Sequence, residues 1–327
     1  MKKFIGWIRR SPIIAFYVIC FVFSWGLWLP LILSRNELSE IIALVGLFGP
    51  ALACITVSRV TSSPPKDSQP VRFWISFIAG WFVSTFAFGA YNGETSLVTW
   101  MIFAILALVP AYIIESIVSR LSGLQSKRFL ARPKGVWIWY IVAVVLPLAL
   151  RLVSVWLSRL TGWGGESYPQ LPSNLMELAG SVLVTFLYTM IWAGGLNEET
   201  GWTGLALPRL QAKFSPLVAT LIVWALWMLW HVPLHLSGFF NLSTHTLIGS
   251  FFGRFLMTWL FIRSSGRWLT AFLLHTSVNV TSQFIPLTNA SLIVDAAVAL
   301  LVIIGGRMWQ RLPVENSAVI SEERLAA

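Results

Sequence analysis

The sequence predicts an all-α, polytopic transmembrane helix bundle of about ten spans (eight to ten), with both termini cytoplasmic. Three observations predict it. Of the 327 residues, 57% are hydrophobic and 11% charged, against about 25% charged in ordinary soluble domains. Mean hydropathy is +0.75, which excludes a soluble globular protein. The apolar residues also fall into runs long enough to cross a ~30 Å hydrocarbon core as helices, and the basic residues gather in alternate connections between them.

Taken in order, the first run spans 13–34. It follows Met1-Lys2-Lys3 and Arg9-Arg10, which suits an uncleaved first span rather than a signal peptide. The run 40–58 ends at a loop marked by Pro64-Pro65, and 73–91 and 97–118 follow. Arg132-Pro133-Lys134-Gly135 marks the loop before 136–157. The remaining runs are 175–196, 215–231, 246–262, 268–285 and 290–306, after which 307–327 turns polar. With the N-terminus inside, nineteen of the 23 lysines and arginines fall on inner loops and tails. Three fall on outer loops, Arg35, Arg151 and Arg159, and Arg254 lies within a span. That bias places both termini in the cytoplasm. The organisation expected is structural spans over 1–174, a chemistry-bearing core over 175–306 and a cytoplasmic tail over 307–327.

Several function classes drop out. The net charge of +10 is dispersed over loops as membrane topology requires, so nucleic acid is not an expected partner; the bilayer is. Cys20 and Cys54 lie inside apolar runs, as small core or lipid-facing residues and not a disulfide or metal pair. There is no internal repeat and no Gly-rich phosphate loop.

Only 13 residues are Asp or Glu, yet two stand together in Gly195-Leu196-Asn197-Glu198-Glu199-Thr200-Gly201-Trp202. A carboxylate at membrane depth costs a few kcal/mol or more and normally faces protein or a water cavity. Glu115, near the inner end of its run, reads as structural. All four histidines fall in the C-terminal third. His231 ends the aromatic segment from Trp224, while His275 and Asn279 are four apart and share a helical face. Each alone has a bland explanation: an interfacial His, or an Asn that glues helices. Together, Glu198, Glu199, His231, His275 and Asn279 hold the inventory for amide hydrolysis: a base for water, an acid for the leaving amine, and oxyanion donors. Glu198, His231 and His275 also match a His₂Glu zinc set with one position left for water; His-Glu-x-x-His is absent. Pro233 is expected to end the helix before His235, and His235 and His245 read as loop residues. Ser237 has no His/Asp partner set for a nucleophile.

The order of these pieces resembles the CAAX-protease and bacteriocin-processing (CPBP, or Abi) family of intramembrane proteases, over residues 175–285. That family carries Glu-Glu-x-x-x-Arg, Phe-x-x-x-His and His-x-x-x-Asn on successive spans. Here the motifs read Glu198-Glu199-Thr200-Gly201-Trp202-Thr203, Trp227-Met228-Leu229-Trp230-His231 and His275-Thr276-Ser277-Val278-Asn279. The resemblance implies that Glu198 and His231 activate water, that His275 and Asn279 stabilise the oxyanion, and that Glu199 supports the site or a metal.

One departure stands out: Thr203 occupies the motif arginine's place and cannot imitate bidentate pairing. Either another cation, with Arg254 the candidate, supplies the charge, or the chain is a weakened member. Depth poses a second problem. A strict reading of the spans puts Glu198 at an inner helix end and His231 some 15 residues up the next helix, about 23 Å away. They meet only if 201–214 is buried in the bundle or the span at 215 starts deeper.

The expected function is therefore a multi-pass peptidase of the cell membrane, bacterial in the look of its motifs, acting on a membrane-associated or lipid-linked peptide or protein, with or without a divalent metal such as zinc. The alternative is an inactive scaffold or bacteriocin-immunity protein. A proton-coupled transporter fits less well, because paired halves are not evident.

Overall fold

A computed structural model describes residues 2–62, 70–123, 135–163, 171–241 and 243–312, and for 120–123 the backbone alone. The Pro64-Pro65 loop, the Arg132–Lys134 turn, the tail from 313, and Lys66, Lys127, Arg128 and Arg324 lie outside the described residues.

Apolar sequence with no water to satisfy its backbone must bond within itself, and the helix does so locally. The described residues are helical, without a strand: α1 (Lys2–Arg10), α2 (Pro12–Leu33), α3 (Glu37–Gly46), α4 (Gly49–Thr61), α5 (Pro70–Tyr91), α6 (Leu97–Leu106), α7 (Leu108–Gly123), α8 (Trp137–Thr161), α9 (Leu175–Trp192), α10 (Leu207–Gln211), α11 (Pro216–Leu236), α12 (Thr244–Arg263), α13 (Trp268–Phe284) and α14 (Asn289–Gly305). Short polar residues start several of them. Asn174 Oδ1 accepts from Met176 N–H at 2.8 Å, and Ser243 Oγ from Thr246 N–H at 3.0 Å.

The all-α bundle expected from the sequence is present. Eight segments are long and apolar enough to cross a membrane, counting α3 with α4, α6 with α7, and the run from Leu175 to Gln211 as one each. The last two predicted runs are the 17-residue helices α13 and α14. Long rows of exposed Ile, Val, Leu, Phe and Trp on α2, α5 and α8 suit a hydrocarbon solvent.

Tryptophans join the helices. An indole offers a large apolar body with one N–H to place, and the carbonyls of neighbouring helices accept it: Trp28 to Ala43 (2.9 Å), Trp81 to Ala104 (2.7 Å), Trp192 to Ser84 (3.1 Å) and Trp25 to Trp230 (3.1 Å). In the bundle α2 packs on α3, α4 and α11, and α13 packs on α8, α9 and α12.

Three placements differ from the sequence reading. Arg151 and Arg159, expected on outer loops, belong to α8, which runs on to Thr161; Arg151 is buried and donates to Ser282 Oγ on α13 (3.3 Å). His235 is helical, because α11 continues through Pro233 to Leu236; a proline three residues from a helix end forfeits one bond without stopping the turn. His245 is the second residue of α12, started by the Ser243 cap. Cys20 is buried in α2, and Cys54 is half-buried in α4.

Candidate active site

The run from Leu175 to Gln211 has 37 residues, about 55 Å if straight, far more than a bilayer core. It breaks at Ala193-Gly194. Gly194 has φ 109°, and a Cβ there would lie 2.5 Å from His275 Nε2, so only glycine fits. Asn197 holds the break closed. Its Oδ1 accepts from Gly194 N–H (2.8 Å), and its Nδ2 donates to Leu47 O (3.3 Å) and Trp192 O (3.4 Å). Beyond the break the chain makes two wide π-helical turns, Gly195–Glu199 and Trp202–Ala206, before α10. Such turns concentrate at functional positions. Nearly all of 195–211 is buried, so the depth problem resolves in favour of a segment that stays inside the bundle.

Successive side chains on a helical turn point in different directions, and this separates the two glutamates. Glu199 is fully buried and saturated. Arg254 Nη1 lies 3.0 Å from each of its oxygens, His275 Nδ1 lies 2.9 Å from Oε1, and Thr203 Oγ donates to Oε2. The cation opposite the second glutamate thus comes from α12, and Thr203 contributes a hydroxyl where the motif has arginine. Glu198 instead faces a cavity of about 260 Å³ and accepts a hydrogen bond from Trp227 Nε1–H on α11.

His231, Glu198, His275 and Asn279 all line that cavity, with Trp192, Ala193 and Trp227 around them. His231 Nδ1 lies 2.9 Å from Trp227 O. A carbonyl can only accept, so Nδ1 carries the proton and Nε2 keeps its lone pair. His275, with Nδ1 on Glu199, has Nε2 beside Gly194. Asn279 Nδ2 donates to Ala193 O (2.8 Å), using one of its two N–H groups at the helix break.

A second cavity of about 320 Å³ shares Trp227, His275 and Asn279 with the first. Leu146, Leu150, Leu256, Met257 and Val278 make it largely apolar, and Arg151 and Asp295 bring charge to it.

A zinc-like ion does not fit the donors as they stand. Among the described residues no three His, Cys, Asp or Glu side chains group closely enough to hold a metal. Trp227 takes Glu198 Oε2 and His231 Nδ1, and Glu199 takes His275 Nδ1, which leaves each histidine its Nε2.

Residues 180–281 match the family model described as Type II CAAX prenyl endopeptidase Rce1-like. This segment is similar to that family. It runs from within α9 to within α13 and contains all five residues singled out in the sequence, together with Arg254. The match agrees with the CPBP resemblance. No curated protein matches the chain.

Sequence reasoning missed two residues of the Rce1-like segment. Asn197 carried a signal, a third polar side chain beside the glutamates in an apolar run. Trp227 was visible only as a replacement for the motif phenylalanine, and nothing in the sequence showed its indole reaching Glu198.

Proposed function

We propose that the protein is an intramembrane endopeptidase that hydrolyses a peptide bond of a membrane-associated substrate, with the mouth of its site on the cytoplasmic side. The observation carrying this reading is the convergence of Glu198, His231, His275 and Asn279 on one cavity while Glu199 is sealed behind it. A water between Glu198 and His231 Nε2 would donate one hydrogen to each. Glu198 removes a proton as the oxygen attacks the carbonyl carbon, then returns it to the leaving amine. The oxyanion is met by His275, whose Nε2–H donates when the ring is protonated, and by the second N–H of Asn279. Glu199, held by Arg254, anchors the His275 ring. The adjoining apolar cavity would receive the substrate's apolar flank.

The test uses purified full-length protein in bilayer nanodiscs with a library of membrane-anchored peptides, comparing wild type with His231→Ala, His275→Ala and Asn279→Ala, with and without a chelator. The reading expects cleavage by wild type in both conditions and losses of about 10²–10⁴-fold in the histidine variants. Wild-type cleavage abolished by the chelator and restored by zinc would replace the Glu/His mechanism with a metal one. Indifference to all three substitutions would leave a non-enzymatic scaffold.

A further inference from the structure

Trp227 stands between the environments of the two glutamates. Its Nε1–H donates to Glu198 Oε2, its carbonyl oxygen accepts from His231 Nδ1 (2.9 Å), its ring meets the His231 ring edge-on at 4.3 Å, and the Arg254 guanidinium that holds Glu199 lies 5.5 Å from its centroid. The same ring lines both cavities. Phenylalanine, the residue of the motif at this position, could keep the ring contacts but has no N–H to give.

We infer that Trp227 is a positioning residue: its indole N–H fixes the rotamer of Glu198 so that the other carboxylate oxygen shares a water with His231. The inference rests on the peptidase reading of the site and goes beyond it. A carboxylate on a flexible side chain in a cavity has several orientations, and only one brings an oxygen to the water that His231 Nε2 also accepts from. Because the His231 ring is tied to the same residue's carbonyl, Trp227 aligns both halves of the water-activating pair. Its contact with Arg254 links that alignment to the ion pair behind. Trp227 touches no reacting atom in this arrangement; it acts through Glu198. A donor to a charged acceptor is among the stronger hydrogen bonds, and a buried oxygen that loses one is left short of a partner.

The test is Trp227→Phe in the full-length protein, with a benzothienyl-alanine placed at 227 as a second variant that keeps the indole's shape and replaces its N–H by sulfur. Peptide cleavage is measured as kcat and KM beside wild type and Glu198→Gln, and thermal melting is measured for all variants and for the Trp227→Phe/Glu198→Gln double variant. The expected result is kcat lower by about 10- to 100-fold with KM within about two-fold, and melting effects of the two substitutions that are not additive. If Trp227→Phe fails to fold, the benzothienyl variant alone must show the kcat loss. Wild-type kcat in the sulfur variant, or additive melting shifts, overturns the inference while leaving the peptidase reading intact. Undiminished cleavage by Glu198→Gln overturns both.

Discussion

Arg254 places a single guanidinium nitrogen 3.0 Å from both carboxylate oxygens of Glu199. Arg254 is 3% exposed and Glu199 fully buried, so each is the other's compensation in a place where neither could stand alone. Removing one partner of a buried pair costs about 3–5 kcal/mol, because an uncompensated charge remains. Arg254→Met should therefore lower the melting temperature sharply and reduce cleavage. Adding Thr203→Arg, which restores a cation beside Glu199 from the motif position, should recover part of both. Thermal melting and cleavage of the two variants beside wild type check this; an Arg254→Met protein as stable as wild type would show that the pair does not hold the site.

Gly194 should tolerate no side chain. Its φ is 109°, and a Cβ added at this position would come within 2.5 Å of His275 Nε2. Gly194→Ala thus combines backbone strain of roughly 1–3 kcal/mol with displacement of the imidazole. The expected outcome is a kcat loss larger than the stability loss accounts for. Full activity in this variant would remove the helix break from the site.

Gly253 behaves in the opposite way. A Cβ there meets nothing within 4 Å, and the residue lines the apolar cavity beside the one that Glu198 and His231 line. Gly253→Leu should leave melting unchanged or raise it, since glycine inside a helix costs about 1 kcal/mol. If the substrate's apolar flank lies in this cavity, filling it should raise KM by roughly ten-fold with kcat nearly constant. Steady-state kinetics on a membrane-anchored peptide decides; an unchanged KM would place the flank elsewhere.

The helical class and the position of nearly every span were legible because apolar run length follows directly from the thickness of the hydrocarbon core. The polar side chains inside the bundle were legible for a related reason: in a chain so poor in charge, Glu198, Glu199, His231, His275 and the half-buried Asn279 have few other uses. The path between them was not. The break at Gly194 and the π-helical turns that keep 195–211 inside the bundle depend on close approaches to Leu47 and His275, contacts that no local pattern encodes. The continuation of α11 through Pro233 and the burial of Arg151 in α8 escaped for the same reason, since tertiary packing overrode the local signals of proline and charge. Arg254 was suggested by its isolation in an apolar run, and its partner Glu199 by the threonine at 203 where the motif has arginine.

In the proposed mechanism the adjacent glutamates divide the work: Glu198 acts at the cavity and Glu199 holds the site together. The most direct measurement is the cleavage rate per folded molecule of Glu198→Gln and Glu199→Gln, with melting temperatures taken on the same samples. Glu198→Gln is expected to melt close to wild type and to cleave at least about 10²-fold more slowly, whereas Glu199→Gln should lose stability because Arg254 is left without its counter-charge. A Glu198→Gln protein that cleaves at the wild-type rate would contradict the account.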